Sequence, residues 1–230
     1  MENNINTPTI NIGPSYAELY EQSGLPLQYL REEPYLYPEA CDKKCFGYLA
    51  KVQANCLRVF AKGTGNSLLI YSNNVGNGKT TWAIKIMRYF IMKHSVEHPD
   101  ADYVFINVSE FLQLRKKAIS NASARAEFNA LEKRVKEARL VVFDDIAYRQ
   151  SSGFDEEYLY TIIDYRYRNM MNNIFTSNAT KAEMRDILGD RIADRILDRR
   201  TMLYPIQGGS RRSAQPVAQP KNNCSGEEVF

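Results

Sequence analysis

The stretch SLLIYSNNVGNGKTTWAIKIM, residues 67–87, holds a short apolar run, a glycine-containing turn and then apolar residues at helical spacing. Ser67–Tyr71 reads as a buried β-strand and Lys79–His94 as an amphipathic helix. Between them, Gly76-Asn77-Gly78-Lys79-Thr80 makes a turn that offers consecutive backbone N–H groups, and the N-terminus of the following helix adds partial positive charge. Such a turn cradles phosphates. Lys79 would reach the β- and γ-phosphates of a nucleoside triphosphate, and the Thr80 hydroxyl would bind Mg²⁺. The expected nucleotide-binding set is Asn73, Gly76, Asn77, Gly78, Lys79, Thr80 and Thr81. Asn73 stands where G-x-x-x-x-G-K-[ST] has its first glycine; asparagine tolerates left-handed backbone, so the turn is expected to survive the replacement.

Outward from this stretch, short apolar runs alternate with longer helical patterns. Strands are expected at Ser67–Tyr71, Tyr103–Val108, Leu140–Phe143, Asn173–Ser177 and Met202–Ile206. Helical patterns fall at Lys79–His94, Ser109–Lys117, Arg125–Ala138, Glu156–Met171 and Lys181–Arg199. This alternation requires a parallel α/β sheet. Upstream, SYAELYEQ and then Ala40–Lys62 read as helices, the latter offering Phe46, Leu49, Val52, Leu57 and Phe60 to a core. The organisation expected is an arm (1–15), a helical extension (16–62), a core (63–212) and a tail (213–230), arm and tail being too polar to fold.

The 230 residues suffice for one α/β domain, and a net charge of +3 says little about nucleic acid by itself. No apolar run approaches the length of a membrane span and MENNINTPTI lacks a signal pattern, so a cytoplasmic location is expected, in a bacterial cell or a phage-infected one. The four cysteines would be reduced there. Cys41 and Cys45 could sit one helical turn apart, but no second Cys or His pair completes a zinc site.

Two further motifs carry chemistry. In LVVFDDI (140–146), a buried strand delivers Asp144 to its carboxyl end, where open α/β sheets bind ligands. Asp144 would hold Mg²⁺, through water, and Asp145 would polarise an attacking water as general base. Asp145 is one methylene shorter than the more usual glutamate. In NNIFTSN (172–178), Asn178 at a strand end can orient that water and sense the γ-phosphate.

Together these motifs resemble the AAA+ ATPases, most closely the DnaC/DnaI-type helicase loaders and their IstB-like relatives, over about Ser23 to Arg212. The resemblance begins at SGLPLQYL, similar to the family's short Gly-Pro motif, and runs through IIDYRYRNMMNNIFTSNAT and LGDRIADRI to GGSRR. It implies a three-layer phosphate-loop NTPase core with a five-stranded parallel sheet and no C-terminal helical lid. It also implies ATP and Mg²⁺ as cofactors and self-association through the ATP site. Arg195 matches the arginine finger that reaches a neighbouring subunit's γ-phosphate, with Arg191 as fallback. From the residues alone, Arg191–Asp194 and Arg195–Asp198 could equally be i,i+3 pairs on an exposed helix. Arg211 or Arg212 matches the second sensor arginine, spacing favouring Arg212.

Between the second and third strands, Arg115-Lys116-Lys117 and the Lys133, Arg134, Lys136 group place positive charge where initiators and loaders of this kind touch single-stranded DNA. Glu127, Glu132 and Glu137 among them equally suit a salt-bridged surface helix. The expected activity is ATP-dependent loading or remodelling of a replicative hexameric helicase on single-stranded DNA. The alternatives are an IstB-type transposition helper on duplex DNA and a nucleotide-dependent adaptor with weak hydrolysis.

Overall fold

The structure, a computed structural model, describes residues 15–30, 36–147 and 153–211. The five apolar runs become β1 (Ser67–Tyr71), β2 (Tyr103–Asn107), β3 (Leu140–Asp144), β4 (Asn172–Ser177) and β5 (Thr201–Pro205). They form one sheet in the order β2-β3-β4-β1-β5, every neighbouring pair parallel. The helices are α1 (Tyr16–Gln22), α2 (Lys43–Ala54), α3 (Cys56–Val59), α4 (Lys79–His94), α5 (Val108–Ser120), α6 (Ala122–Glu137), α7 (Gly153–Arg168) and α8 (Lys181–Ile196).

Strand alternation sends side chains to two cores and produces three layers. On one face Leu68, Ile70, Phe105, Val142 and Ile174 pack with α1, α2 and α4 through Leu19, Leu49, Trp82 and Phe90. On the other, Leu69, Val104, Val141, Phe143 and Phe175 pack with α5 to α8 through Phe111, Val135, Ile162 and Ile192. Helices thus cover both faces of a largely apolar sheet, as parallel strands require. Leu19 of α1, Phe46 of α2 and Phe60 just after α3 are buried in the same cluster as β1, so these helices belong to the first of these layers.

Two helices differ from the sequence reading. The expected helix Ala40–Lys62 is divided into a 3₁₀ turn at Ala40–Asp42, α2 and α3. Asn55 leaves helical geometry (φ −106°, ψ 20°) and its side-chain amide donates to Lys51 O at 2.9 Å, competing with the continuing helix. The expected helix Lys181–Arg199 is interrupted at Gly189 (φ 73°, ψ 157°), although Met184, Leu188, Ile192 and Ile196 keep one buried face across the break. Ser15, which opens the SYAELYEQ pattern, closes a capping box with Glu18 at the start of α1. The rest of the arm, and the tail, lie outside the described residues. Among the described residues no helix is long and apolar enough to cross a membrane.

Arg166 of α7 is the largest fully buried side chain. It donates to Val135 O, Lys136 O and Ala138 O at the end of α6, and to Asn172 O and Asn173 Oδ1 at the start of β4. A helix end with orphan carbonyls is thereby tied to the sheet.

Candidate nucleotide site

The turn after β1 is shaped by its own side chains. Ser72 Oγ accepts from Asn74 N at 3.0 Å and from Asn77 Nδ2 at 2.8 Å. Left-handed backbone falls on Gly76 (φ 75°) and Gly78 (φ 99°). At Gly78 a Cβ would also come within 2.9 Å of Leu36 Cδ2. Asn73 has no positive φ; among the described residues only Asp145 and Met170 do so without being glycine. The conformational reason expected for an asparagine at 73 therefore does not hold. The turn needs no left-handed residue there, and Asn73 is exposed, outside the lining of the cleft. No side chain caps α4, so its first N–H groups open on the cleft. Lys79 folds back, its Nζ donating to Asn74 O (2.7 Å) and Asn77 Oδ1 (3.2 Å).

The sheet register brings the acidic pair to this loop. Thr80 Oγ1 and Thr176 Oγ1 each donate to Asp144 Oδ1 at 2.7 Å. Burial pushes the Asp144 carboxyl above its ordinary range; the hydrogen bonds from Thr176 and Thr80 oppose that rise, Asp145 adds to it and Lys79 opposes it. Asp145 sits at φ 55°, a strained backbone of the kind that functional sites retain. Its N–H donates to Thr176 Oγ1 (2.9 Å) and its Oδ1 accepts from Asn178 Nδ2 (2.8 Å). Thr176 thus serves both carboxylate residues. No motif flagged it, because its role depends on the pairing Phe143↔Phe175, which sets the residues after them side by side.

These groups line one cleft of about 1030 Å³ together with Gly76 to Thr81, Asn107, Glu110 and Arg211. Its far wall is the Gly-Pro segment: Gly24, Pro26, Gln28 and Tyr29 line it with Leu36 and Phe105. That segment is fixed to the sheet edge by Phe105 N donating to Ser23 O at 2.7 Å. Thr80 and Asp144, two oxygen-bearing side chains held together by their 2.7 Å hydrogen bond, suit Mg²⁺, which takes oxygen ligands and keeps several of its waters. The open α4 N-terminus and Lys79 suit phosphates.

The expected arginines separate. Arg195 does not line this cleft; it pairs with Asp164 of α7 (3.1 Å) and lies 5.3 Å from the Tyr167 ring centre. Arg168 shares Asp164 at 2.8 Å, and Arg191 stacks over Tyr160 at 3.8 Å. Asp194 pairs with Arg185 and Asp198 with Arg200, so these acids are engaged elsewhere than in the i,i+3 pairs open from sequence. Arg211 lines the cleft, while Arg212 lies outside the described residues.

Of the basic groups, Arg115 is clamped between the rings of Phe154 (3.8 Å) and Tyr158 (4.1 Å), and Lys116 pairs with Asp155 at 2.7 Å. Lys117 is exposed. Arg134 is held by Asp102 (2.7 Å) and Lys136 by Glu132 (2.9 Å).

The chain matches the family described as IstB-like ATP binding protein over residues 53–216. Similar folds occur among solved structures of other proteins. The crystal structure of DnaI has 19% identity and a TM-score of 0.63, covering 82% of this chain and 94% of that one. The DnaC helicase loader has 19% identity and a TM-score of 0.60, covering 74% and 93%. A putative primosome component from Streptococcus pyogenes serotype M3 has 20% identity and a TM-score of 0.60, covering 86% and 100%. No curated protein matches the sequence significantly.

Proposed function

Because this chain belongs to the IstB-like ATP-binding protein family, we propose that it is an ATPase that loads or remodels a replicative hexameric helicase on single-stranded DNA. The observation that carries the ATPase reading is the meeting, in one cleft, of the open α4 N-terminus, Lys79, the Thr80–Asp144 pair and the Asp145–Asn178 pair. ATP would lie with its phosphates on Gly76–Thr81 and its base toward the Gly24–Tyr29 wall. Mg²⁺, held by Thr80 directly and by Asp144 through water, would neutralise charge on the phosphate oxygens.

Lys79 would exchange its loop carbonyl for phosphate oxygens. Asp145, aimed by Asn178, would accept a proton from the attacking water. Arg211 takes the sensing role that spacing gave to Arg212. Arg195 would enter a neighbouring subunit's site, a reading supported by its absence from the lining of its own cleft. Loading is supported by the likeness in fold to a protein described as a helicase loader. Of the Arg115–Lys117 cluster, exposed Lys117 would meet DNA phosphates, with Arg115 and Lys116 able to contribute by leaving Phe154 and Asp155.

The test is co-purification with a replicative helicase in ATP, alongside turnover by wild-type chain and Lys79→Ala. Helicase association in ATP, with turnover lost in Lys79→Ala, is expected; no association would overturn the loading role. A second reading follows from the IstB-like family match itself: a transposition helper, which would coat duplex DNA without contacting a helicase.

A further inference from the structure

We propose that Asp42 is a positioning residue for the nucleotide site: it holds Arg211 against the phosphate loop, so that capture of a triphosphate depends on a carboxylate from the N-terminal segment. The inference rests on the nucleotide-site reading above and adds to it a residue that no motif contains.

Beyond β5 the chain turns back as a strap over the phosphate loop. Asn74 Nδ2 donates to Gln207 O (2.8 Å) and Gly208 O (3.1 Å), and Arg211 N donates to Gly76 O at 2.8 Å. The other side of the strap is held by residues 37–46. The Asp42 carboxylate, fully buried, accepts from Gln207 N (2.8 Å), Gly208 N (3.0 Å) and Arg211 Nη2. Glu39 Oε1 accepts from Gly209 N at 3.0 Å, and Tyr37 O from Arg211 Nε at 3.0 Å. The Arg211 guanidinium lies 5.0 Å from the Phe46 ring centre, with Nη1 donating to Asn77 O in the loop itself.

The chemistry explains the arrangement. A buried carboxylate is costly unless charge-paired and hydrogen-bonded, and among the described residues Asp42 obtains both from the strap. A guanidinium fixed on two edges presents its remaining donors in one plane, which suits phosphate oxygens. Gly208 makes the meeting possible: a Cβ there would stand 2.3 Å from Asp42 Oδ2 and 2.6 Å from Arg211 Nη2. The cleft thereby gains a second cation beside Lys79, held from outside the loop and helix that supply the first.

The experiment measures ATP and adenosine affinities of the full chain by competition against a fluorescent nucleotide, for wild type, Asp42→Asn, Arg211→Gln and the double variant. Each single change is expected to weaken ATP about tenfold or more, the size of one charge-assisted hydrogen bond. The double variant should be no weaker than Arg211→Gln, and adenosine affinity should not move. Gly208→Ala, which pries strap from carboxylate without touching either core, should reproduce the ATP loss even if Asp42→Asn fails to fold. Wild-type ATP affinity in Asp42→Asn or Gly208→Ala, losses that multiply in the double variant, or adenosine falling together with ATP would each overturn the proposal. Lys79→Ala separates the premises: unchanged ATP affinity there refutes the nucleotide-site reading, whereas its loss beside an unaffected Asp42→Asn refutes only this inference.

Discussion

Thr176→Val replaces a hydroxyl by a methyl at nearly constant volume, at the point where the two acidic residues are joined. The hydroxyl donates to Asp144 Oδ1 at 2.7 Å and accepts from Asp145 N at 2.9 Å, and the side chain is 1% exposed. Losing a hydrogen bond to a charged group costs about 1.5–3 kcal/mol, and stranding a buried N–H about 1–3 kcal/mol. The added methyl returns about 0.8 kcal/mol. The net loss of about 2–5 kcal/mol should lower the thermal midpoint by roughly 5–15 °C for a chain of this size. Thr176→Ser, which keeps the hydroxyl, should lose only about 1 kcal/mol.

The deficit also has a pH signature. Asp144 is already raised above its ordinary value near 3.8, and Thr176 is the stronger of the two hydrogen bonds holding it down. A carboxyl raised in the folded state makes the fold bind more protons than the unfolded chain, so stability falls as pH rises above that ordinary value. Removing Thr176 enlarges the effect, and the valine deficit measured by urea unfolding should grow as pH rises above that ordinary value. A deficit below about 0.5 kcal/mol, within the range of ordinary surface changes, or one that grows as pH falls, would refute the reasoning.

Three further outcomes follow from other parts of the molecule. Arg166→Leu leaves five acceptors at the α6–β4 junction without their donor and should cost more than about 3 kcal/mol in urea unfolding, with Arg166→Lys intermediate. His94, stacked on Phe90 and with Nδ1 2.8 Å from Tyr103 OH, is lowered to about 4 by burial and by Arg139 and His98. It binds its proton more readily when unfolded, so the stability it contributes is full above pH 6.5 and lost as pH falls through 4. After allowance for its partial exposure this amounts to about 1–2 kcal/mol, and His94→Gln should flatten the unfolding profile between those pH values. Asn178→Ala frees the Asp145 carboxylate and should lower ATP turnover about tenfold to hundredfold while ATP affinity stays near wild type, as read from kcat and a direct binding titration.

The sheet was legible because each strand is a short apolar run bounded by turn residues, and none of the ten strand ends moved by more than one residue. The phosphate loop was legible because its residues are contiguous. What escaped was whatever depends on the register between separate elements. Thr176 reads as an ordinary strand residue until Phe143 is known to pair with Phe175. Asp42 falls inside the expected Ala40–Lys62 helix with no motif to mark it, and its role emerges only where the strap from 207 to 211 folds over it. Arg166 lies in the quoted YRYR stretch among charges that suggest a surface, yet it is fully buried because the carbonyls ending α6 need a donor. Helix breaks at Asn55 and Gly189 were missed for a local reason: the apolar spacing continues across both while single residues leave helical geometry.

The arrangement of cations also bears on how such a site could be switched. Lys79 comes from the loop itself, Arg211 from a strap anchored on residues 37–46, and Arg195 from the far side of α8, where Asp164 holds it with Arg168. Only the first two face the cleft of their own chain. Each is parked on a protein acceptor, a loop carbonyl for Lys79 and a loop carbonyl with a buried carboxylate for Arg211. Phosphate arrival would replace the loop carbonyls at Lys79 and at Arg211 Nη1 while Asp42 keeps its hold on Nη2, acceptor replacing acceptor at preformed donors. The exchange is unequal. Lys79 moves within one rigid loop-helix unit, whereas any shift of Arg211 pulls on Asp42 and, through Gln207 and Gly208, on the end of β5. On the proposed reading, nucleotide occupancy would be tied mechanically to the N-terminal segment, a part of the chain remote in sequence from every phosphate-loop motif.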